Sequence, residues 1–187
     1  MKKLSLFALA LVGAMSFQTA AHAAPLNASS NVTLTDTLGE SLTLLLGSSA
    51  VTFNLTNGVA ATGNTPVTMT TSWVLAPSRT SVALYGYFSS STSALSDGLP
   101  TPDLIPSSAV AGQVPTGTPT VFTPFSQTNA GFGGASASLA LFNQPISASS
   151  ANFVGTRTDK LNLQITAPAA LPAGTYTGTL TIQAQAN

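Results

Sequence analysis

The chain has 187 residues with five basic and five acidic side chains, so only 5% of it is charged, against about 25% in an average soluble domain. So few cations exclude a basic nucleic-acid-binding face, and the absence of cysteine excludes both a disulfide scaffold and thiol chemistry. An apolar fraction of 44% argues for a chain that folds, because disordered segments are polar and highly charged.

The N-terminus opens Met1-Lys2-Lys3, continues with an apolar run over residues 4–15 and reaches Ala21-His22-Ala23. A basic start, a short apolar helix and a small-x-small site are the parts of a secretory signal peptide, with cleavage expected after Ala23. The run is shorter than the roughly 20 residues a bilayer span needs. The expected partners at this stage are the Sec export machinery and signal peptidase, and the expected location is secreted, periplasmic or cell-surface. Cleavage leaves residues 24–187, a single expected domain of 164 residues, which is enough for a core without disulfides. That domain keeps Arg79, Arg157 and Lys160 against Asp36, Glu40, Asp97, Asp103 and Asp159, a net charge of −2. Its surface is therefore Ser-, Thr-, Asn- and Gln-rich, and low net charge favours self-association. No second apolar segment and no cysteine at the cleavage site follow, so neither a membrane span nor a lipid anchor is expected.

After the signal the dominant pattern is alternation with period two, the mark of half-buried strands. It runs through Val32-Thr33-Leu34-Thr35, then Leu42, Leu44 and Leu46 after a kink at Leu38-Gly39-Glu40, then Val51, Phe53 and Leu55. Val67, Met69, Thr71, Trp73 and Leu75 share a face, with Trp73 expected in the core. Val82, Leu84 and Phe88 oppose Tyr85 and Tyr87, and both faces are apolar enough to predict a central strand or a covered face. Leu161, Leu163 and Ile165 alternate with polar residues, and residues 175–183 form the clearest strand pattern of all. Asn57-Gly58, Gly63-Asn64, Pro77-Ser78 and Pro172-Ala173-Gly174 supply the turns. Residues 89–136 hold the long loops; within them 109–114 and 120–125 predict a hairpin, and 139–142 a short strand. No stretch has helical periodicity. The predicted fold class is all-β, an immunoglobulin-like antiparallel β-sandwich preceded by the signal-peptide helix.

The expected domain offers no catalytic apparatus. His22 leaves with the signal, so histidine-based acid–base and triad chemistry is excluded. Lys160 beside Asp159 reads as a solvated ion pair at a strand end rather than as an activating base. The carboxylate pairs Asp36 with Glu40 and Asp97 with Asp103 read as kink and turn residues. Asp97, Asp103 and nearby carbonyls lack the Asp-x-Asp-x-Asp-Gly spacing of a calcium loop. Neither catalytic, cofactor nor metal residues are assigned. Gly131-Phe132-Gly133-Gly134 does not follow a strand and open a helix, so it is no phosphate cradle. Arg157 and Asp159 read as a structural pair, since alternate strand residues share a face.

The ending Leu171-Pro172-Ala173-Gly174-Thr175-Tyr176-Thr177-Gly178-Thr179-Leu180-Thr181-Ile182 resembles the last strand of secreted bacterial immunoglobulin-like domains, among them spore coat U and related pilin-like subunits. The resemblance covers about a tenth of the domain, by residue count. It implies a sandwich of seven or more strands that assembles by strand exchange into surface fibres. Only residues 24–31 precede the first predicted strand, which is short for a donated extension unless 31–46 is itself the donated segment.

The function expected from all this is a non-enzymatic structural or adhesive protein of the cell envelope, a pilin-like or fibre subunit that joins itself or other envelope proteins by strand addition. The edges expected to do so are 31–46 and 175–183. The alternative is a monomeric secreted module that recognises a glycan or protein through its long loops, with Tyr85, Tyr87, Asp97 and Asp103 as the candidate surface.

Overall fold

The computed structural model describes residues 32–147 and 152–187. The signal peptide predicted over 1–23 lies outside the described residues. The chain divides into two units, 1–36 and 37–187. The described part of the first, residues 32–36, has no regular secondary structure and is solvent-exposed; Val32 is 81% and Leu34 90% exposed.

The second unit holds eleven strands: β1 (Ser41–Leu46), β2 (Ala60–Thr62), β3 (Val67–Val74), β4 (Ser81–Tyr87), β5 (Leu95–Ser96), β6 (Leu104–Ile105), β7 (Val110–Gln113), β8 (Thr123–Pro124), β9 (Ser138–Pro145), β10 (Val154–Thr166) and β11 (Thr181–Ala186). The only helical element among the described residues is the single 3-10 turn Ser107–Ala109, and no helix there is long and apolar enough to cross a membrane. All pairings between strands are antiparallel. The larger sheet has the order β1-β3-β10-β7-β8, with β2 also on β10; the smaller has the order β11-β4-β9; β5 and β6 form a separate hairpin. The fold is an all-β antiparallel sandwich, as the alternation predicts.

The period-two pattern determines which side chains fill the space between the sheets. In β3, Val67, Met69, Thr71 and Trp73 are buried, while Thr68, Thr70 and Ser72 lie on the outer face. Outward hydroxyls pair across the ladder, Thr70 with Thr158 at 3.1 Å and Ser72 with Thr156 at 2.7 Å. Leu161, Leu163 and Ile165 of β10 meet Val82 and Leu84 of β4 and Leu139 and Leu141 of β9 in one core cluster. Phe125 fills its centre, fully buried, against two glycines: a Cβ on Gly86 would come within 2.9 Å of its ring and one on Gly112 within 3.2 Å. The expected hairpin forms, though its strands are shorter than predicted: β7 pairs with β8 through Ala111–Pro124 and Gly112–Thr123. The expected long loops of 89–136 also contain a small hairpin, β5–β6, because Ala94 and Ile105 are buried and anchor it.

β10 is the spine of the larger sheet. Its first half pairs with β3, from Val154–Val74 to Leu161–Val67. Its second half is bracketed, Ile165 pairing with Val110 of β7 and with Ala61 of β2. β2 and β3 thus lie along β10 as one interrupted strand, broken at residues 63–66, where the Gly63 N–H still donates to the Leu163 carbonyl at 2.8 Å.

Arg157 and Asp159 both point inward from β10, and Asp159 is only 2% exposed. The Arg157 guanidinium donates to both carboxylate oxygens, Nη2 to Oδ1 at 3.0 Å; the Thr116 hydroxyl donates to the same Oδ1 at 2.6 Å, and Arg157 Nη2 donates to the Thr116 carbonyl at 2.6 Å. The guanidinium also lies 4.8 Å from the centroid of the Phe142 ring. The expected Asp159–Lys160 pair does not form, because neighbours on a strand face opposite ways: Lys160 lies on the exposed outer face. Removing one partner of a buried pair leaves an uncompensated charge, which costs about 3–5 kcal/mol. Arg157→Ala is therefore expected to lower the unfolding free energy by about 3 kcal/mol or more. The Arg157→Ala/Asp159→Ala double variant should recover part of that loss, both being read from urea denaturation midpoints and slopes.

Candidate functional site

Three segments with strand-like alternation form no ladder. Residues 51–56 are extended but belong to no strand, with only an isolated bridge from Thr56 to Val59. Residues 175–180 are likewise outside β11, which begins six residues later than predicted; their backbone is tethered by a bridge in which Thr177 exchanges two 2.9 Å hydrogen bonds with Ser96. Residues 32–35 form no strand either. Among the described residues, the backbones of Phe53, Asn54 and Leu55 make no hydrogen bond, and neither do those of Thr175, Tyr176, Gly178 and Thr179.

The first two of these segments face each other across a groove of about 870 Å³. One rim is formed by residues 46–57 and the other by residues 171–182. The floor is made of core residues: Val67, Phe88, Val110, Leu163 and Ile165 are each less than 9% exposed, yet all line the groove. Val51, Phe53 and Leu55 form one apolar wall and Leu171, Tyr176, Leu180 and Ile182 the other; all seven pack on the core while remaining half-exposed. The first rim is seated by Gly63, where a Cβ would come within 2.4 Å of Val51 and 3.2 Å of Phe53. It is pinned by Asn64, which accepts from the Thr52 N–H through Oδ1 at 3.1 Å and donates its own N–H to the Thr52 carbonyl at 3.0 Å. The second rim is held by Asn57 Nδ2 donating to the Leu171 carbonyl at 2.8 Å, and by the Tyr176 hydroxyl donating to the Pro172 carbonyl at 2.9 Å. Burial, and then the charges of Asp103 and Asp97, push the Tyr176 phenol above its ordinary range, so it stays a neutral donor.

The groove continues the line between two open sheet edges. β1 pairs only with β3, and β11 only with β4, so both are edge strands, and they lie against each other across the sandwich. At the end where β1 begins, the gap between them is bridged. Glu40 Oε1 accepts from the Ala76 N–H at 2.8 Å and from Arg79 Nε at 3.0 Å, and its Oε2 accepts from Arg79 Nη2 at 2.9 Å. Arg79 Nη1 then reaches the Ala186 carbonyl, near the end of β11, at 3.4 Å. The reading of Glu40 as a kink residue flanking Asp36 misses this partner. Arg79 being one of only three cations in the domain was the available signal.

The four residues expected to form a binding surface fall in two places. Tyr85 and Tyr87 lie on the outer face of β4, half-buried, under the loop that carries Phe132. Tyr85 stacks on Phe132 with centroids 4.1 Å apart, Tyr87 meets it edge-on at 6.0 Å, and the Tyr87 hydroxyl bonds Gln183 Oε1 at 3.0 Å. Gly133, at φ +72°, carries the loop past Phe88, whose carbonyl a Cβ there would approach to 2.3 Å. β4 is thus central in its sheet and covered, as its two apolar faces predict. Asp97 and Asp103 close the β5–β6 turn, Asp97 Oδ1 accepting from the Leu99 and Asp103 N–H groups at 3.1 and 3.2 Å. Their charges act on Tyr176 at the groove and not on the Tyr85–Phe132 stack. Among the described residues no three His, Cys, Asp or Glu side chains gather as a metal site requires.

Comparison of the chain with protein-family models, with curated proteins and with solved structures finds no match.

The Arg79 guanidinium, together with the Ala76 N–H, holds the Glu40 carboxyl down at about 2 from an ordinary 4.5. A depressed folded-state value contributes stability that is complete above pH 4.5 and is lost as pH falls toward 2. The wild-type chain should therefore melt above its Glu40→Gln variant at neutral pH, with the difference shrinking from pH 4.5 downward and vanishing near pH 2. Thermal melts of both proteins across that range check this.

Proposed function

We propose that the protein is an exported, non-enzymatic structural subunit of the cell envelope that assembles by strand addition, its groove receiving residues 32–38 of a second copy. One observation carries this reading. The two segments with strand sequence but no strand partner, 51–56 and 175–180, are the two rims of a single groove floored by core side chains. Unpaired backbone over an apolar floor is a template for one more strand. Strand-like alternation also runs through residues 32–35, which are not assigned to a strand, and Val32, Leu34 and Leu38 are all more than 80% exposed. Seven residues at about 3.3 Å each span roughly 23 Å, a length matched to six-residue rims. Burying each of the three apolar side chains contributes about 1.5–3 kcal/mol, and the ladder adds backbone bonds to both rims. The absence of histidine after signal cleavage, the lack of cysteine and the low charge agree with a role carried by shape and edges instead of chemistry.

The exported chain is expected to form oligomers whose size grows with concentration in size-exclusion chromatography, and thin fibres in negative stain. Val32→Asp/Leu34→Asp should abolish both while leaving the folded circular-dichroism spectrum unchanged. A clean monomer at high concentration from the unaltered chain would sink the proposal.

A further inference from the structure

Among the described residues, one hydrogen bond runs directly from the first rim of the groove to the second, from Asn57 Nδ2 to the Leu171 carbonyl at 2.8 Å. Asn57 is exposed, in a tight turn that the Val59 N–H closes onto the Thr56 carbonyl at 3.0 Å. The next residue is glycine, and no other asparagine of the chain is followed by one. Gly58 takes φ +72°, and a Cβ there would meet nothing within 4 Å. An asparagine amide followed by a main-chain nitrogen with no side chain beside it holds the reactants of a ring closure that needs only water.

We infer that the Asn57-Gly58 turn is a site of spontaneous succinimide formation, and that its products release the two rims from each other. The main-chain nitrogen of Gly58 gives its proton to hydroxide and attacks Cγ of Asn57. The N–Cγ bond forms, the Cγ–Nδ2 bond breaks, and ammonia leaves. Water then opens the cyclic imide. Opening at Cγ leaves an aspartate; opening at the main-chain carbonyl carbon leaves an isoaspartate, whose chain runs on through the side chain. The sum is amide plus water going to carboxylate plus ammonium, with no change of oxidation state. Glycine favours the closure because its backbone reaches angles that other residues avoid.

Two hydrogen bonds restrain the reaction in the folded chain. Nδ2 is held by the Leu171 carbonyl, and the Gly58 N–H donates to the Ala167 carbonyl at 2.9 Å. Ring closure carries Nδ2 away and removes the proton from the Gly58 nitrogen, so both bonds are lost on the way and the turn has to open locally first. The consequence for the groove follows from what each group can donate. An ionised carboxylate only accepts, so after conversion it faces the Leu171 carbonyl as a second acceptor and the tie between the rims becomes a repulsion. The remaining backbone tether of 175–180, from Thr177 to Ser96, does not involve the first rim. The release goes beyond strand addition and stands whether or not a strand fills the groove.

The test ages the exported chain at mildly alkaline pH, dilute enough to stay monomeric, and follows each asparagine by peptide mapping in the mass spectrometer, with isoaspartyl methylation to count the isoaspartate. Asn57 is expected to convert at least about tenfold faster than Asn54, which is also exposed but is followed by Leu55. It should convert at least about tenfold more slowly than in the same chain unfolded in urea. Asn57→Gln, which keeps an amide but lengthens the ring, should remain unmodified. The chain has no cysteine, so Thr52→Cys with Thr175→Cys places one spin label on each rim. Their separation is expected to lengthen and broaden in the aged chain, and Asn57→Asp should reproduce the shift; if only the aged chain shifts, the isoaspartate form carries the release. Conversion at Asn57 no faster than at Asn54, or modification of Asn57→Gln at that position, overturns the site. Equal rates in the folded and unfolded chains overturn the restraint by Leu171 and Ala167. Conversion that leaves the label separation unchanged overturns the release, and so does a shift accompanied by loss of the folded circular-dichroism spectrum, since that is general unfolding.

Discussion

Backbone amides that have no strand to pair with, lying beside an apolar floor that has no lid, are the constraint around which this sandwich is arranged. A closed sandwich would place a strand between β1 and β11 and cover Val67, Val110, Leu163 and Ile165 from that side. Here the floor is buried from three sides and opens on the fourth. The rims keep their extended shape without a ladder because each is held by a few specific contacts, Asn64 on Thr52 for one and Ser96 on Thr177 for the other. Those contacts hold the groove open instead of letting the walls collapse onto the core.

The rest of the molecule is rigid enough to bear that opening. β10 pairs along its whole length, first with β3 and then between β2 and β7, so the floor residues it contributes are fixed from both sides. Phe125, packed against Gly86 and Gly112, joins the two sheets. The Arg157–Asp159–Thr116 cluster ties the loop after β7 to β10 and uses two of the eight charged side chains of residues 24–187. A further two, Glu40 and Arg79, bridge the open edges. Half of those charges are therefore held in two ion pairs, which leaves a surface dominated by hydroxyls and amides with few charges.

Alternation made the strand-forming segments legible, and it assigned their inward residues correctly: Val67, Met69 and Trp73 in β3, Val82 and Leu84 in β4, Leu161, Leu163 and Ile165 in β10. Period-two patterning reports that one face of a segment is apolar. It does not report whether a neighbouring strand is there to pair with. For that reason 51–56 and 175–180 read as ordinary strands, and their place as opposite rims of one groove was invisible. The site was legible as a pair of edges, 31–46 and 175–183, but not as a groove. Phe132 was hidden for a related reason: a glycine-flanked aromatic in a loop reads as flexible until the face it covers is known.

The sequence by itself determined the fold class, the inward and outward faces of the strands and the same-face pairing of Arg157 with Asp159, because each follows from local residue type and the spacing of neighbours. Only the tertiary structure decided which strand-like segments find partners, that two of them border one apolar groove, that Glu40 pairs with Arg79 across 39 residues, and that Asp159 turns away from Lys160. Those outcomes depend on how distant segments compete for the same sheet edges, and a competition between distant edges leaves no trace in any one stretch of the chain.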